Sequence, residues 1–306
     1  MTIFTGGSSN GTKKKYSFLI IAAFYSFILL GAPSFTIIAS NSNNAVPQQA
    51  SAVMEADKKS AATQTGATNG NSNTGMTATH ANIVLVHGFW GDGSSWSKVI
   101  PILEGAGHRV IAVQLPLHSM ADDVATVKRA VDLVGGPTIL VGHSYGGFVI
   151  TNAAYNNPNV TGLVYIGAFA PDEGQSPSDF FDVTKLPKGF LITDSGGFLY
   201  INSTQFHDMF AQDVNSTEAN IMAATQKPAK QSILAEKSGP PAWKQLPTWY
   251  EVSENDRMIP PDLERQFAKQ INATTISLSS SHVPMVSHPK EIAQLILNAT
   301  TKGRTG

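Results

Sequence analysis

Cysteine is missing altogether from this chain of 306 residues. That excludes disulfide bridges, a thiolate nucleophile and any metal held by thiolate. Charge is scarce as well: 14% of residues are charged, where a soluble domain carries about 25%. Lys and Arg number 21 against 22 Asp and Glu, for a net charge of -1. No excess of either sign is available to grip a polyanion, so nucleic acid is not an expected partner. Metal-ligand spacing is also lacking. His87, His118 and His143 occur without an H-E-x-x-H pattern or a matching carboxylate spacing. No metal and no other cofactor is expected, and His87 and His143 are read as residues that orient loops by hydrogen bonding.

One long uncharged run does occur, at the N-terminus. Lys13, Lys14 and Lys15 precede Tyr16 to Ser40, which carry no charge, and Phe18 to Leu30 are apolar apart from Ser26. Cationic residues before an apolar segment mark an export signal or a single membrane anchor, with the lysines held inside. The run is about long enough to span a bilayer, although Pro33 and Ser34 interrupt it. A cleavage site after Ala39 or Ser40 fits, without an A-x-A motif. The reading for 1–40 is therefore a signal peptide or anchor that engages the membrane or the export machinery, with the product secreted or held at the outer face. Residues 41–79 are rich in Asn, Ser, Ala, Thr, Gln and Gly. They hold too little apolar surface for a core and read as a disordered linker. The folded domain is placed at 80–306.

Within that domain strands and helices alternate. Ile83 to Val86 is a short apolar strand, followed by the loop His87-Gly88-Phe89-Trp90-Gly91. Trp96 to about Ala106 reads as a helix, Arg109 to Val113 as a strand, and Met120 to Val134 as an amphipathic helix. Val124, Val127, Ala130, Val131 and Val134 share its apolar face. Gly162 to Ile166, Thr248 to Val252 and Thr275 to Leu278 are further strands; Pro261 to Gln270 and Pro289 to Asn298 are helices. This rhythm predicts a mostly parallel sheet of about six strands with helices on both faces. Pro171 to about Pro241 breaks the rhythm and is read as a helical cap over the site.

The stretch Thr138 to Thr151 organises the rest. It reads strand, tight turn, helix, and the turn holds Gly142-His143-Ser144-Tyr145-Gly146, a G-x-S-x-G nucleophile elbow. Five such positions alone are a weak signal; the apolar runs Ile139 to Val141 and Phe148 to Ile150 supply the strand–turn–helix setting. A serine needs a base, and the base an orienting carboxylate. In this topology the order along the chain is Ser, acid, His. His282, directly after the last strand, is the expected base; His288 before a helix and His207 in the cap are the other histidines downstream. Asp256, in the loop after Thr248 to Val252, is the expected acid, with Glu254, Asp262 and Asp172 as neighbouring alternatives. The backbone amides of Phe89 and Tyr145 are the expected oxyanion donors. Trp90, His207 and Phe210 are assigned to the substrate pocket.

These motifs resemble the α/β-hydrolase superfamily over about residues 82–299. The likeness is greatest to small bacterial hydrolases akin to the plant methylesterase and hydroxynitrile lyase group. It is carried by Leu85 to Gly88, Glu104 to His108, Gly142 to Gly147, Asp256 to Pro260, Ser281 to Met285, and the approach from Pro240 to Tyr250. The resemblance implies the same triad, Ser144, Asp256 and His282. Lyase members carry threonine after the loop histidine and lysine after the catalytic histidine; here those positions are Gly88 and Val283, which favours ester hydrolysis.

The expected function is an exported serine esterase acting on small apolar acyl or aryl esters or lactones. Phe180, Phe181, Phe190, Phe198, Phe206 and Phe210 in the cap either shape an apolar pocket or merely pack the cap. The rivals are a C–C lyase on the same scaffold, separated by a cyanohydrin cleavage assay, and a non-catalytic binding protein, which a fluorophosphonate would leave unlabelled. Asn159, Asn202, Asn215, Asn272 and Asn298 stand in Asn-x-Ser/Thr sequences, sites of glycosylation in a host equipped for it or coincidences in an Asn- and Thr-rich chain.

Overall fold

The computed structural model describes residues 80–302. The expected signal or anchor segment and the linker lie outside the described residues. Among the described residues no helix is long and apolar enough to cross a membrane.

In chain order the elements are β1 (Asn82–Val86), α1 (Ile100–Gly105), β2 (Arg109–Ala112), α2 (Met120–Val134), β3 (Thr138–His143), α3 (Gly146–Ala153) and β4 (Val160–Ile166). The cap follows, with β5 (Leu191–Thr193), β6 (Phe198–Ile201), α4 (Ser203–Phe210), α5 (Ser216–Thr225) and β7 (Ala229–Lys230). The body then resumes with β8 (Thr248–Ser253), α6 (Pro261–Gln270), β9 (Thr274–Leu278), α7 (Pro284–Ser287) and α8 (Pro289–Lys302).

Six strands form one parallel sheet in the order β2-β1-β3-β4-β8-β9. Its central strands are apolar runs because helices cover both faces and keep most of their residues from water. Ile83 to Val86, Ile139 to Val141 and Leu163 to Ile166 are all buried. Parallel strands need crossovers, and each crossover returns the chain so that the carboxyl ends share one rim. That rim receives the loops after β1, β3, β8 and β9, which carry the residues singled out from the sequence.

Helix α2 shows how local chemistry sets an element. Ser119 caps it by accepting the Asp122 N–H. Val127, Ala130, Val131 and Val134 face the core. Gly135 and Gly136 end the helix at φ of 64° and 72°, which β-carbon-bearing residues rarely adopt. Val124 is only half-buried, and the deeper position in that turn belongs to Asp123.

The cap departs from the helical expectation. It contains α4 and α5 but also a three-stranded antiparallel sheet, β5-β6-β7. The reason is local: Leu191-Ile-Thr193 and Phe198-Leu-Tyr-Ile201 flank Asp194-Ser-Gly-Gly197, a hairpin turn. Asp194 Oδ1 accepts the N–H groups of Gly196 at 2.8 Å and Phe198 at 2.9 Å. Two of the Asn-x-Ser/Thr asparagines serve the backbone here: Asn202 and Asn215 cap α4 and α5.

Candidate active site

The chain between β3 and α3 turns so sharply that Ser144 takes φ of 54°, in the left-handed region that a non-glycine residue enters at a cost. The turn closes only because Gly142 has no side chain: a β-carbon there would lie 2.6 Å from the Gly146 carbonyl oxygen. Ser144 is fastened on both sides, its N–H donating to Ile166 O at 3.3 Å and its carbonyl accepting from the Phe169 N–H at 3.2 Å.

His282 arrives from the loop after β9 with its Nε2 2.9 Å from Ser144 Oγ. Asp256, from the loop after β8, lies with Oδ2 2.5 Å from His282 Nδ1. Its other oxygen, Oδ1, accepts the backbone N–H groups of Met258 at 2.6 Å and Ile259 at 3.0 Å. Three residues separated by up to 138 positions thus form one chain of hydrogen bonds, and all three are buried. Glu254, Asp262 and Asp172 do not join it. Glu254 and Asp262 pair with Arg265, and Asp172 with Lys244.

The loop after β1 closes the site from the opposite side. Gly88 permits the approach: a β-carbon at that position would lie 2.6 Å from Ser144 Cβ and 3.0 Å from the His143 carbonyl oxygen. Both obstacles are rigid parts of the elbow. Gly88→Ala should therefore displace Ser144 and lower kcat/KM for an ester by about 100-fold, the scale of a 1 Å misplacement. Steady-state kinetics on protein with an unchanged circular dichroism spectrum tests this; wild-type kinetics would show that the loop yields instead.

Phe89 and Tyr145 pack ring on ring, with centroids 4.2 Å apart and planes 18° from parallel. Their amides donate to no protein acceptor among the described residues. The side chains thus dock the two loops that present those amides, a role the sequence did not disclose. Tyr145 is held from below as well. Its hydroxyl donates to Asp123 Oδ2 at 2.9 Å, and burial pushes the Asp123 carboxyl up to about 6.

The loop histidines act as the sequence suggested. His87 Nδ1–H donates to Gly88 O at 2.8 Å while Nε2 accepts the Leu115 N–H at 3.0 Å. That pairing requires neutral imidazole, and burial lowers its pKa to about 4. His143 Nε2–H donates to the His282 carbonyl at 2.6 Å, fixing the backbone of the imidazole above it. Burial, then the neighbouring His282, keeps His143 well below the ordinary histidine range. Asp213, a cap residue not singled out from the sequence, accepts the Ser281 N–H at 3.0 Å and holds the same loop from the other side.

A narrow cavity of about 20 Å³ opens onto Ser144 and His282. Its other walls are Phe89, Trp90, Phe169, Pro177, Phe181, Leu234, Met258 and Ile259, all apolar. Trp90 is thereby placed in the pocket, its indole N–H bonded to Leu199 O of the cap at 3.0 Å. His207 is not in the pocket. It follows Phe206 on α4, about 100° round the helix, and its Nε2–H donates to Val214 O at 2.8 Å. Phe210 does not line the cavity either; it stands edge-on behind His282, with ring centroids 5.0 Å apart. Of the cap phenylalanines only Phe181 reaches the cavity wall. Phe180 packs on Phe267 and Phe169, and His118 lies at the surface against Phe198. Among the described residues no cluster of ligating side chains could hold a metal ion.

Beside Asp256 the fold buries two further acids, Glu251 on β8 and Glu264 on α6. Burial pushes Glu251 up to about 8, against the Ser253 hydroxyl that bonds it. The unfolded chain releases this proton near 4.5, so the stabilising difference is complete below that pH and is lost as pH rises to about 8. At most about 5 kcal/mol is at stake for this residue. Glu251→Gln should thus flatten the fall in melting temperature between pH 5 and pH 8; a wild-type slope would contradict this.

Comparison with known proteins places this geometry. The model of a family described as "Alpha/beta hydrolase family" matches residues 83–295. A pyrethroid hydrolase of Sphingobium wenxiniae is 28% identical over 256 residues, covering 72% of this chain and 87% of that protein. Methylesterase 2 of Arabidopsis thaliana is 25% identical over 248 residues, covering 71% and 94%. Among solved structures, a pyrethroid hydrolase from Sphingobium faniae superposes with a TM-score of 0.63 at 24% identity, over 73% of this chain and 99% of that one.

Proposed function

Since the chain belongs to the alpha/beta hydrolase family and its relatives are hydrolases and esterases, we propose that it is a serine hydrolase of apolar carboxylic esters. The observation that carries this reading is the continuous hydrogen-bonded line from Ser144 through His282 to Asp256, ending in a cavity whose remaining walls are apolar.

In this reading His282 Nε2 accepts the Ser144 proton as Oγ attacks the ester carbonyl. The amides of Phe89 and Tyr145 donate to the oxyanion of the tetrahedral intermediate, their side chains having been docked beforehand. Asp256 stabilises the imidazolium and keeps Nδ1 protonated. His282 then returns its proton to the leaving alcohol, and the acyl group remains on Ser144. Water enters, gives one proton to His282 and attacks the acyl carbon; the acyl–Oγ bond then breaks, Ser144 Oγ takes the proton back from His282, and the acid is released. No charged side chain lines the cavity, so neither half of the substrate should carry charge. Gly88 and Val283, buried where the lyase group bears threonine and lysine, favour hydrolysis over cyanohydrin cleavage.

Export is part of the proposal and rests on the sequence alone, on Lys13 to Lys15 and the uncharged run behind them.

A panel of p-nitrophenyl esters tests the reading. Turnover should appear with short to medium acyl chains and fall when either half carries a carboxylate. Absence of turnover across the panel would refute it.

A further inference from the structure

Glu264 has one oxygen accounted for and one not. Its Oε2 accepts the Ser253 N–H at 2.8 Å. Its Oε1 is fully buried and meets no hydrogen-bond donor. Its acidic neighbour is Asp256. The two carboxyls flank Gly167, where a β-carbon would lie 3.8 Å from Asp256 Oδ2 and 3.9 Å from Glu264 Oε1.

Two carboxylates side by side in a buried place cannot both be ionised. The donors present decide which one is. Asp256 accepts from Met258, Ile259 and His282; Glu264 accepts from Ser253 alone. No Lys or Arg among the described residues pairs with Asp256, Glu251 or Glu264. The titratable groups facing Glu264 from neighbouring elements are Asp256 in the loop after β8, and Glu251 and Tyr250 on β8. His282 lies beyond Asp256. The adjacent Arg265 turns outward to Glu254 and Asp262.

We propose that Glu264 is a positioning residue, held as the neutral acid, whose carboxyl O–H donates to Asp256 and fixes that carboxylate against His282. The proposal rests on the reading of Asp256 as the acid of an ester hydrolase. It turns an orphaned buried oxygen into a donor and gives Asp256 a fourth hydrogen bond. Burial, followed by the negative charge of Asp256, holds the Glu264 carboxyl well above the ordinary range, in keeping with this.

The two obvious variants separate donor from charge. Glu264→Gln keeps an acceptor for the Ser253 N–H and an N–H₂ donor for Asp256. Glu264→Leu keeps most of the volume and removes the donor. With a neutral Glu264, E264Q should hold kcat/KM within about threefold of wild type, with the acid limb of its pH profile unmoved. E264L should lose about 10- to 100-fold, the range for removing a partner that orients a reacting group. Its acid limb should move to higher pH, since an undamped Asp256 charge favours a protonated imidazole. If E264Q shifts the acid limb downward by about one unit or more, Glu264 carries a charge in the wild type and the proposal falls. It falls equally if E264L matches wild type.

An infrared difference spectrum at pH 7 reads the proton without any substrate. The C=O band of a protonated carboxylic acid should be present in wild type and in E251Q and missing from one position in E264Q. No difference between wild type and E264Q would overturn the proposal even if E264L failed to fold. A protein that showed this band yet hydrolysed no ester would refute the esterase reading and leave the protonation of Glu264 standing.

Discussion

Ser144→Ala is expected to lower kcat for a short p-nitrophenyl ester at least about 10⁴-fold, while the melting temperature stays within about 4 °C of wild type. The separation follows from what the side chain does. Its Oγ makes one hydrogen bond, to His282 Nε2 at 2.9 Å, and the turn is held by backbone bonds to Ile166 and Phe169 that alanine keeps. Alanine at φ of 54° is about as strained as serine, so the elbow should survive. Substrate should still enter the apolar cavity, whose other walls are untouched. The loss therefore belongs in kcat, with KM changed little. A variant that retained even a tenth of wild-type turnover would place the nucleophile elsewhere.

Asp256→Asn should cost nearly as much, about 10⁴-fold in kcat at pH 7, although it changes one atom. Asp256 Oδ1 accepts two backbone N–H groups, from Met258 and Ile259. An asparagine must put its carbonyl oxygen there, because its N–H₂ would face two donors. The N–H₂ is thereby turned to the Oδ2 position, 2.5 Å from His282 Nδ1 in the native structure. Nδ1 then has to accept, its proton moves to Nε2, and Nε2 presents a donor to the Ser144 hydroxyl where a base is required. The loop supplies this orientation, so the effect should be a tautomer effect without loss of fold. Activity of Asp256→Asn within tenfold of wild type would mean that a different acid orients His282.

The same loop shows what could be read from the chain and what could not. Asp256 stands directly after an apolar strand and before Pro260-Pro261, and His282 directly after the last strand. Parallel topology brings such loops to one rim, so both positions could be inferred without coordinates. The elbow was legible because its apolar flanks are continuous, and continuous runs are what a doubly covered sheet demands. The six-stranded parallel sheet followed from the same alternation.

What escaped depends on directions and partners that periodicity does not encode. His207 and Phe206 are adjacent in sequence, yet only Phe206 faces the interior. The side of α4 turned to the site depends on how the cap docks. The cap sheet was missed because β5 and β7 span three and two residues, too short for a period-two signal. The buried acids Asp123, Glu251 and Glu264 read as ordinary solvated charges on helices and strands. Their roles exist only through contacts made across the fold, with Tyr145, Ser253 and Asp256. The motifs point to Phe89 and Tyr145 for their amides, and the stacking that docks those amides is invisible in the chain.

The central claim is that one hydroxyl, Ser144 Oγ, is made nucleophilic by His282. Treating the full chain with a fluorophosphonate and mapping the adduct by peptide mass spectrometry tests it most directly. A single adduct is expected, on the Ser144 peptide, lost in Ser144→Ala and in His282→Ala and suppressed by an apolar ester. An unlabelled Ser144 in folded protein, or labelling that persists without His282, would contradict it.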